Sequence, residues 1–261
     1  MSHATPHLRR GVGVALLALA VLAGCSSTDS GARDQTATTT LTVLAASSLT
    51  EVFPAIGAAF TAAHPGVQVR FSFAGSQEIV AQVDGGAPAD VLALAGTSAL
   101  EPVLRAVSEP VVFAGNELTI IVPPGNPGDV HGLDDVADPS VDVVLAAPEV
   151  PAGQYAREIL DNAGLAVSPV SDEADVKAVV SRVALGGADA GIVYVTDASA
   201  AGRSVTAVPL PDRFNIVASY PAATIDGGAQ TTVAADFVAF LLTDDAQAIL
   251  RQAGFLPPPS P

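Results

Sequence analysis

Short apolar runs alternate with amphipathic helical patterns along almost the whole chain, and this alternation excludes most fold classes at once. Runs with strand character fall at 42–45, 67–73, 91–94, 118–122, 143–146, 191–194, 205–208 and 216–219. Helical spacing covers 49–63, 77–84, 154–163 and 175–185, and two further helical patterns, 231–242 and 245–253, close the chain. Strands alternating with helices predict an α/β fold with mainly parallel sheets. Ligands of such sheets gather at the carboxyl ends of the strands, where helix N-termini also point. The strand-to-helix junctions are therefore where a function should be sought.

The first residues stand apart from this pattern. Arg9 and Arg10 precede an apolar run from Gly11 to Gly24, the layout of a secretory signal. The run is short of the roughly 20 apolar residues that a membrane-spanning helix needs. It ends in LAGC, which resembles the lipobox of bacterial lipoproteins. That resemblance implies cleavage after residue 24, a lipidated Cys25 and a membrane anchor, the alternative being an ordinary small residue beside a cleavage site. Residues 25–40 then read as a polar, Thr-rich tether without apolar surface to bury. A single cysteine excludes an internal disulfide and a Cys-based metal site. Loss of residues 1–24 removes two arginines and takes the net charge from −16 to −18. Such acidity argues against nucleic acid, whose phosphates call for a basic face. The remaining length suffices for one large domain or two lobes of about 100 residues.

Four junctions carry groups that could hold an anion. In AASSLTEVF, Ser48 follows an apolar strand, and Ser48-Leu49-Thr50-Glu51 fits the S-x-x-E capping box. Taken alone this favours a helix cap over a ligand donor. In FAGSQ, Gly75 permits a tight turn and close backbone approach, and Ser76 sits where a helix starts. In VPAGQYA, Pro151 suits the first helical position and leaves the amides of Ala152 and Gly153 without intrahelical partners, unshielded by side chains. A plain proline-started helix is the alternative. In EADVKAVV, Asp175 reads as a cap that leaves the amide of Val176 free, or simply as the start of a surface helix. Nearby, GIVYVTD ends a strand in Tyr194, whose phenol is a neutral donor if it reaches a cleft and a partly buried side chain otherwise.

Together AASSLTEVF, FAGSQ, GGAPADVLALA, VPAGQYA, ADVKAVV and GIVYVTDA resemble the molybdate-binding proteins of bacterial ABC importers, over residues 41–255 and with similar gaps between motifs. The resemblance implies a two-lobed periplasmic-binding-protein fold, type II-like, with each lobe a mostly parallel sheet flanked by helices. It implies a monomer that takes molybdate, and tungstate too, between its lobes and delivers it to the ABC transporter permease. By position the ligand donors would be Ser48, Ser76, Ala152, Val176 and Tyr194, with no direct protein-metal ligand and no cofactor. The expected lobes are 41–114 with 215–256, and 115–214, hinged near Asn116 and Phe214, followed by a proline-rich tail, 257–261. Gly75 and Gln77 flank Ser76 where the family frequently has serines, and Glu51 completes the capping box.

No lysine or arginine falls in this donor set, and Lys177 and Arg157 should point elsewhere. Hydrogen bonds to a charged acceptor contribute about 1.5–3 kcal/mol each, so six or seven neutral donors can hold a dianion. The acidic neighbours Glu149, Asp172, Glu173 and Asp175 must then face away. Neutral donors match a fully deprotonated oxyanion, and sulfate, phosphate or a small organic acid are the competing ligands. An enzyme is disfavoured: the nucleophile elbow G-x-S-x-G is broken by Glu78, and past the signal only His64 and His131 remain. Two histidines and three scattered tyrosines, Tyr155, Tyr194 and Tyr220, supply a metal site poorly.

Overall fold

A computed structural model describes residues 38–259. Cys25, the signal sequence and most of the tether lie outside the described residues. The described residues form a two-lobed α/β protein built on two five-stranded sheets. The first sheet contains β1 (Thr39–Ala46), β2 (Val67–Ala74), β3 (Val91–Ala93), β4 (Val111–Asn116) and β10 (Ala218–Thr224), in the order β2-β1-β3-β10-β4. The second contains β5 (Leu118–Val122), β6 (Val143–Ala146), β7 (Ser171–Glu173), β8 (Ala190–Tyr194) and β9 (Thr206–Val208), in the order β7-β6-β8-β5-β9. The chain passes from one sheet to the other at Glu117 and returns over residues 209–217.

Each sheet is mixed. β1 pairs in parallel with β2 and β3, and β6 with β7 and β8. β10 runs antiparallel to β3 and β4, and β5 to β8 and β9. The parallel character predicted from the strand–helix alternation is thus confined to the strands around β1 and β6. β1 begins at Thr39, which pairs with Val67, so the segment read as tether already joins the sheet at its last two residues.

The helices are α1 (Phe53–Ala63), α2 (Ser76–Asp84), α3 (Pro151–Asn162), α4 (Val176–Ala184), α5 (Val195–Ala201), α6 (Thr231–Phe240) and α7 (Asp244–Gln252). Phe53 and Phe60 of α1 pack with Phe113 of β4 and Phe237 of α6 to fill the core of the first lobe. β5 and β8 are buried along their whole length, as central strands covered on both faces must be.

Two expectations fail for identifiable reasons. The helix predicted from residue 49 starts only at Phe53, after a short 3-10 turn over Ser47–Leu49. Pro54 decides this: inside a helix begun at residue 49 its ring would clash with the carbonyl of Thr50, whereas near the start of α1 its missing amide is harmless. The strand predicted at 216–219 is instead β10, which runs through Pro221; the ladder accommodates the proline with a register shift between Tyr220 and Pro221.

Candidate ligand-binding site

Six parallel strands, β1, β2 and β3 of one sheet and β6, β7 and β8 of the other, end at one buried cavity of about 10 Å³, the scale of a single water-sized occupant. Its wall on one side is Ala46, Ser47, Ser48, Gly75, Ser76 and Ala95, and on the other Val150, Pro151, Ala152, Val176 and Tyr194. All five residues singled out in the sequence, Ser48, Ser76, Ala152, Val176 and Tyr194, therefore line the same space, although the chain separates them by up to 146 positions (194 minus 48). No charged side chain lies among these lining residues.

Ser48 is 4% exposed and belongs to the 3-10 turn, where no side chain caps the helix. The predicted capping box does not form, because α1 starts too late for Glu51 to be its third residue. The Ser48 oxygen instead accepts a hydrogen bond from the Tyr220 hydroxyl at 2.9 Å. Ser76 is the first residue of α2, with Gly75 as N-cap. Its oxygen also serves something outside its own helix, accepting from the Ala95 amide at 3.0 Å.

Gly75 does not supply the special turn expected of it: its φ of −59° and ψ of 143° are open to any residue. The room beside it is taken by the Gln77 amide, which donates to the Ala174 carbonyl of the other lobe at 3.0 Å. Gly153 likewise has a packing role. A Cβ there would lie 2.2 Å from the Ala147 carbonyl oxygen and 2.3 Å from that of Ala146, so only glycine lets α3 start directly on the end of β6.

Pro151 opens α3, and the Asp175 side chain caps α4 by accepting from the Ala178 amide at 2.9 Å. The amides of Ser76, Ala152 and Val176 all lie in first turns, with no carbonyl one turn earlier to receive them. Three helix N-termini thus put positive dipole ends at the cavity wall. Tyr194 is 1% exposed and its hydroxyl has no hydrogen-bond partner among the described residues. Burial, followed by the neighbouring Tyr220, Tyr155 and Asp197, holds its pKa well above the usual value, so it stays a protonated donor.

The nearby charges are engaged elsewhere. Arg157 donates to the Ala146 and Gly153 carbonyls and pairs with Asp172, and Arg182 pairs with Glu173. Lys177, at the first turn of α4, pairs with Asp197 of its own lobe at 2.7 Å and with Glu51 of the opposite lobe at 2.5 Å. Burial opposes the Lys177 charge, but Asp197 and Glu51 outweigh it and raise its pKa. Asp197 is fully buried, and burial pushes it up to about 6 against the pull of Lys177. Sequence reading passed over this Glu51–Lys177–Asp197 group and over Tyr220, because their partners lie 20 to 172 positions away in the chain.

The fold and its ends match known proteins. A family model described as bacterial extracellular solute-binding protein matches residues 41–256. The molybdate-binding protein ModA of Mycobacterium tuberculosis is 39% identical over 221 residues, 84% of this chain and 85% of the relative. The Azotobacter vinelandii periplasmic molybdate-binding protein superposes with a TM-score of 0.73 at 21% identity, over 84% of this chain and all of that one. The sulfate-binding protein SubI of M. tuberculosis superposes with a TM-score of 0.75 at 22% identity, over 84% of this chain and 87% of that one.

Proposed function

The chain belongs to the bacterial extracellular solute-binding proteins, and we propose that it captures molybdate, and tungstate with it, for delivery to an ABC transporter permease. The relatives at this similarity are binding proteins, and no chemical step is assigned here. The observation that carries the ligand is the cavity wall: hydroxyls and first-turn amides from both lobes, and no charged side chain. Ser48 and Ser76 donate from one lobe, and the amides of Ala152 and Val176 with the Tyr194 hydroxyl from the other. The unpartnered Tyr194 hydroxyl, buried and beside the cavity, fits an occupant that accepts its proton.

A dianion needs no arginine in such a place. Charge-assisted hydrogen bonds contribute about 1.5–3 kcal/mol each, and the three helix ends about 0.3–1 kcal/mol apiece. The protein's net charge of −16 acts mostly beyond a Debye length of about 8 Å, so it slows encounter more than it weakens the bound state. The two walls belong to different sheets, and a four-oxygen ion holds them further apart than the present cavity requires. On this reading the moving bodies are 41–114 with 215–256 and 115–214, hinged at the two crossings, and the chain works as a monomer. Lipidation of Cys25 anchors it to the outer face of the cell membrane; Cys25→Ser should move it from the membrane fraction to the soluble one, and no change would exclude the anchor.

The test is a thermal-shift titration of residues 26–261 with molybdate, tungstate, sulfate, phosphate and citrate. A ligand at a thousand times its dissociation constant adds about 4 kcal/mol of stability. Large shifts with molybdate and tungstate and little with sulfate are expected. A shift with sulfate, phosphate or citrate alone would replace the ligand and keep the family.

A further inference from the structure

Both serines at the cavity are engaged from behind. The Ser76 oxygen receives the Ala95 amide, and the Ser48 oxygen receives the Tyr220 hydroxyl. The Tyr220 hydroxyl is in turn an acceptor for the Asn116 side-chain amide, at 3.4 Å, and that same amide nitrogen donates to the Thr196 hydroxyl at 2.8 Å. Asn116 and Tyr220 are both wholly buried, so water does not compete for these bonds. In this arrangement Asn116 gives to Tyr220 and Tyr220 gives its proton to Ser48, while the Asn116 side-chain oxygen is buried without a partner among the described residues.

The consequence lies in the arithmetic of a hydroxyl, which has one proton and two lone pairs. With a lone pair of Ser48 taken by Tyr220, its proton is excluded from that direction and left for the cavity side. The Ala95 amide does the same for Ser76. The first-turn amides of Ser76, Ala152 and Val176 and the Tyr194 phenol also donate, and the Ser47 hydroxyl completes the polar lining. A bound anion that keeps a proton of its own would set that proton against a donor at each of these positions, and only the Ser47 hydroxyl, uncommitted from behind, is left to accept it.

We propose that Tyr220 is a positioning residue that fixes the Ser48 hydroxyl as a donor and so makes the site select tetrahedral oxyanions without a proton over those that retain one. This rests on the ligand class proposed above. It adds to the donor set a residue outside it, one that holds Ser48 in the donating state. Tyr220 does not line the cavity; it acts through Ser48.

Tyr220→Phe removes the donor and keeps the ring, which packs edge-on against Phe255 at 5.3 Å and against Tyr194 at 5.8 Å between centroids. Dissociation constants for molybdate and inorganic phosphate, measured by calorimetry on the folded variant, give the readout. The expected result is a molybdate affinity lowered about tenfold and a molybdate-to-phosphate preference narrowed by the same factor or more, because Ser48 becomes free to accept. In a Ser48→Ala background the tyrosine substitution should leave that preference unchanged, since the two act as one unit. Equal weakening of both anions, or an effect that persists without Ser48, would reduce Tyr220 to a packing residue and overturn the proposal. If Tyr220→Phe does not fold, the wild-type protein still decides: phosphate must bind more tightly as pH rises and its remaining proton is lost, and a flat profile overturns the inference. Wild-type protein that bound sulfate in place of molybdate would correct only the ligand, and the comparison would be run with sulfate. Failure to bind any oxyanion would end both readings.

Discussion

Ser76→Ala separates a structural hydroxyl from a ligand donor, because the structure gives the oxygen two different tasks. Ser76 is 2% exposed and its oxygen accepts the Ala95 amide at 3.0 Å. Without it that amide is buried with no acceptor, a cost of about 1–3 kcal/mol in the ligand-free protein. At a urea dependence of about 2 kcal/mol per molar, the unfolding midpoint should fall by roughly 0.5–1.5 M. The hydroxyl proton is the second task. Losing one charge-assisted donor costs about 1.5–3 kcal/mol of binding, a rise of about ten- to a hundredfold in the molybdate dissociation constant. Urea titration without ligand and calorimetry with molybdate read the two terms independently. A lowered midpoint with affinity unchanged within about twofold would mean that Ser76 only supports the β3 end, and the donor assignment would be wrong. An unchanged midpoint would refute the burial argument itself.

Three further outcomes follow from the same geometry. Asp197 has a folded pKa of about 6 against roughly 3.9 unfolded, so the folded state holds its proton more tightly; the stability this gives is present below the unfolded value and lost as pH rises through about 6. Asp197→Asn should therefore gain about 3 kcal/mol on wild type between roughly pH 4 and pH 7, and parallel stability curves would contradict the buried charge. Gly153→Ala puts a methyl within 2.3 Å of two carbonyl oxygens and should cost about 3 kcal/mol or more in thermal unfolding, with α3 pushed off β6; a neutral result would mean that the backbone there is slack. Glu51→Gln breaks the ion pair that spans the two lobes, yet the Glu51 side chain is 50% exposed, so the change in molybdate affinity should stay within about fivefold and shrink further at high salt; a larger loss would make that pair a principal closure element.

Much of the site was legible because its residues sit at the chain's own transitions. Ser76, Pro151, Asp175 and Tyr194 each occur where an apolar run stops and a helix begins, and local rules place such residues at first turns or strand ends. The 3-10 turn at Ser48 shows the limit of those rules: the capping box is a good local motif, and Pro54, five residues on from Leu49, overrides it. The strand predicted at 216–219 stopped short of most of β10 for a related reason, since a proline inside a run speaks against a strand unless the partner ladder is known to shift around it.

The sequence by itself determined the α/β alternation, the neutral character of the junction residues and the absence of catalytic motifs, since these depend on residues within one turn or one strand of each other. Tertiary structure decided which oxygens face the cavity and what binds them from behind. Tyr220 reaches Ser48 across 172 positions, and only the antiparallel pairing of β10 with β3 puts it beside that loop. Lys177 was expected only to point away from the junctions, and folding is what sets Asp197 and Glu51 against it. Hydrogen bonds and ion pairs between distant segments leave no periodicity in a sequence, because their spacing is fixed by sheet order and not by the repeat of any one element.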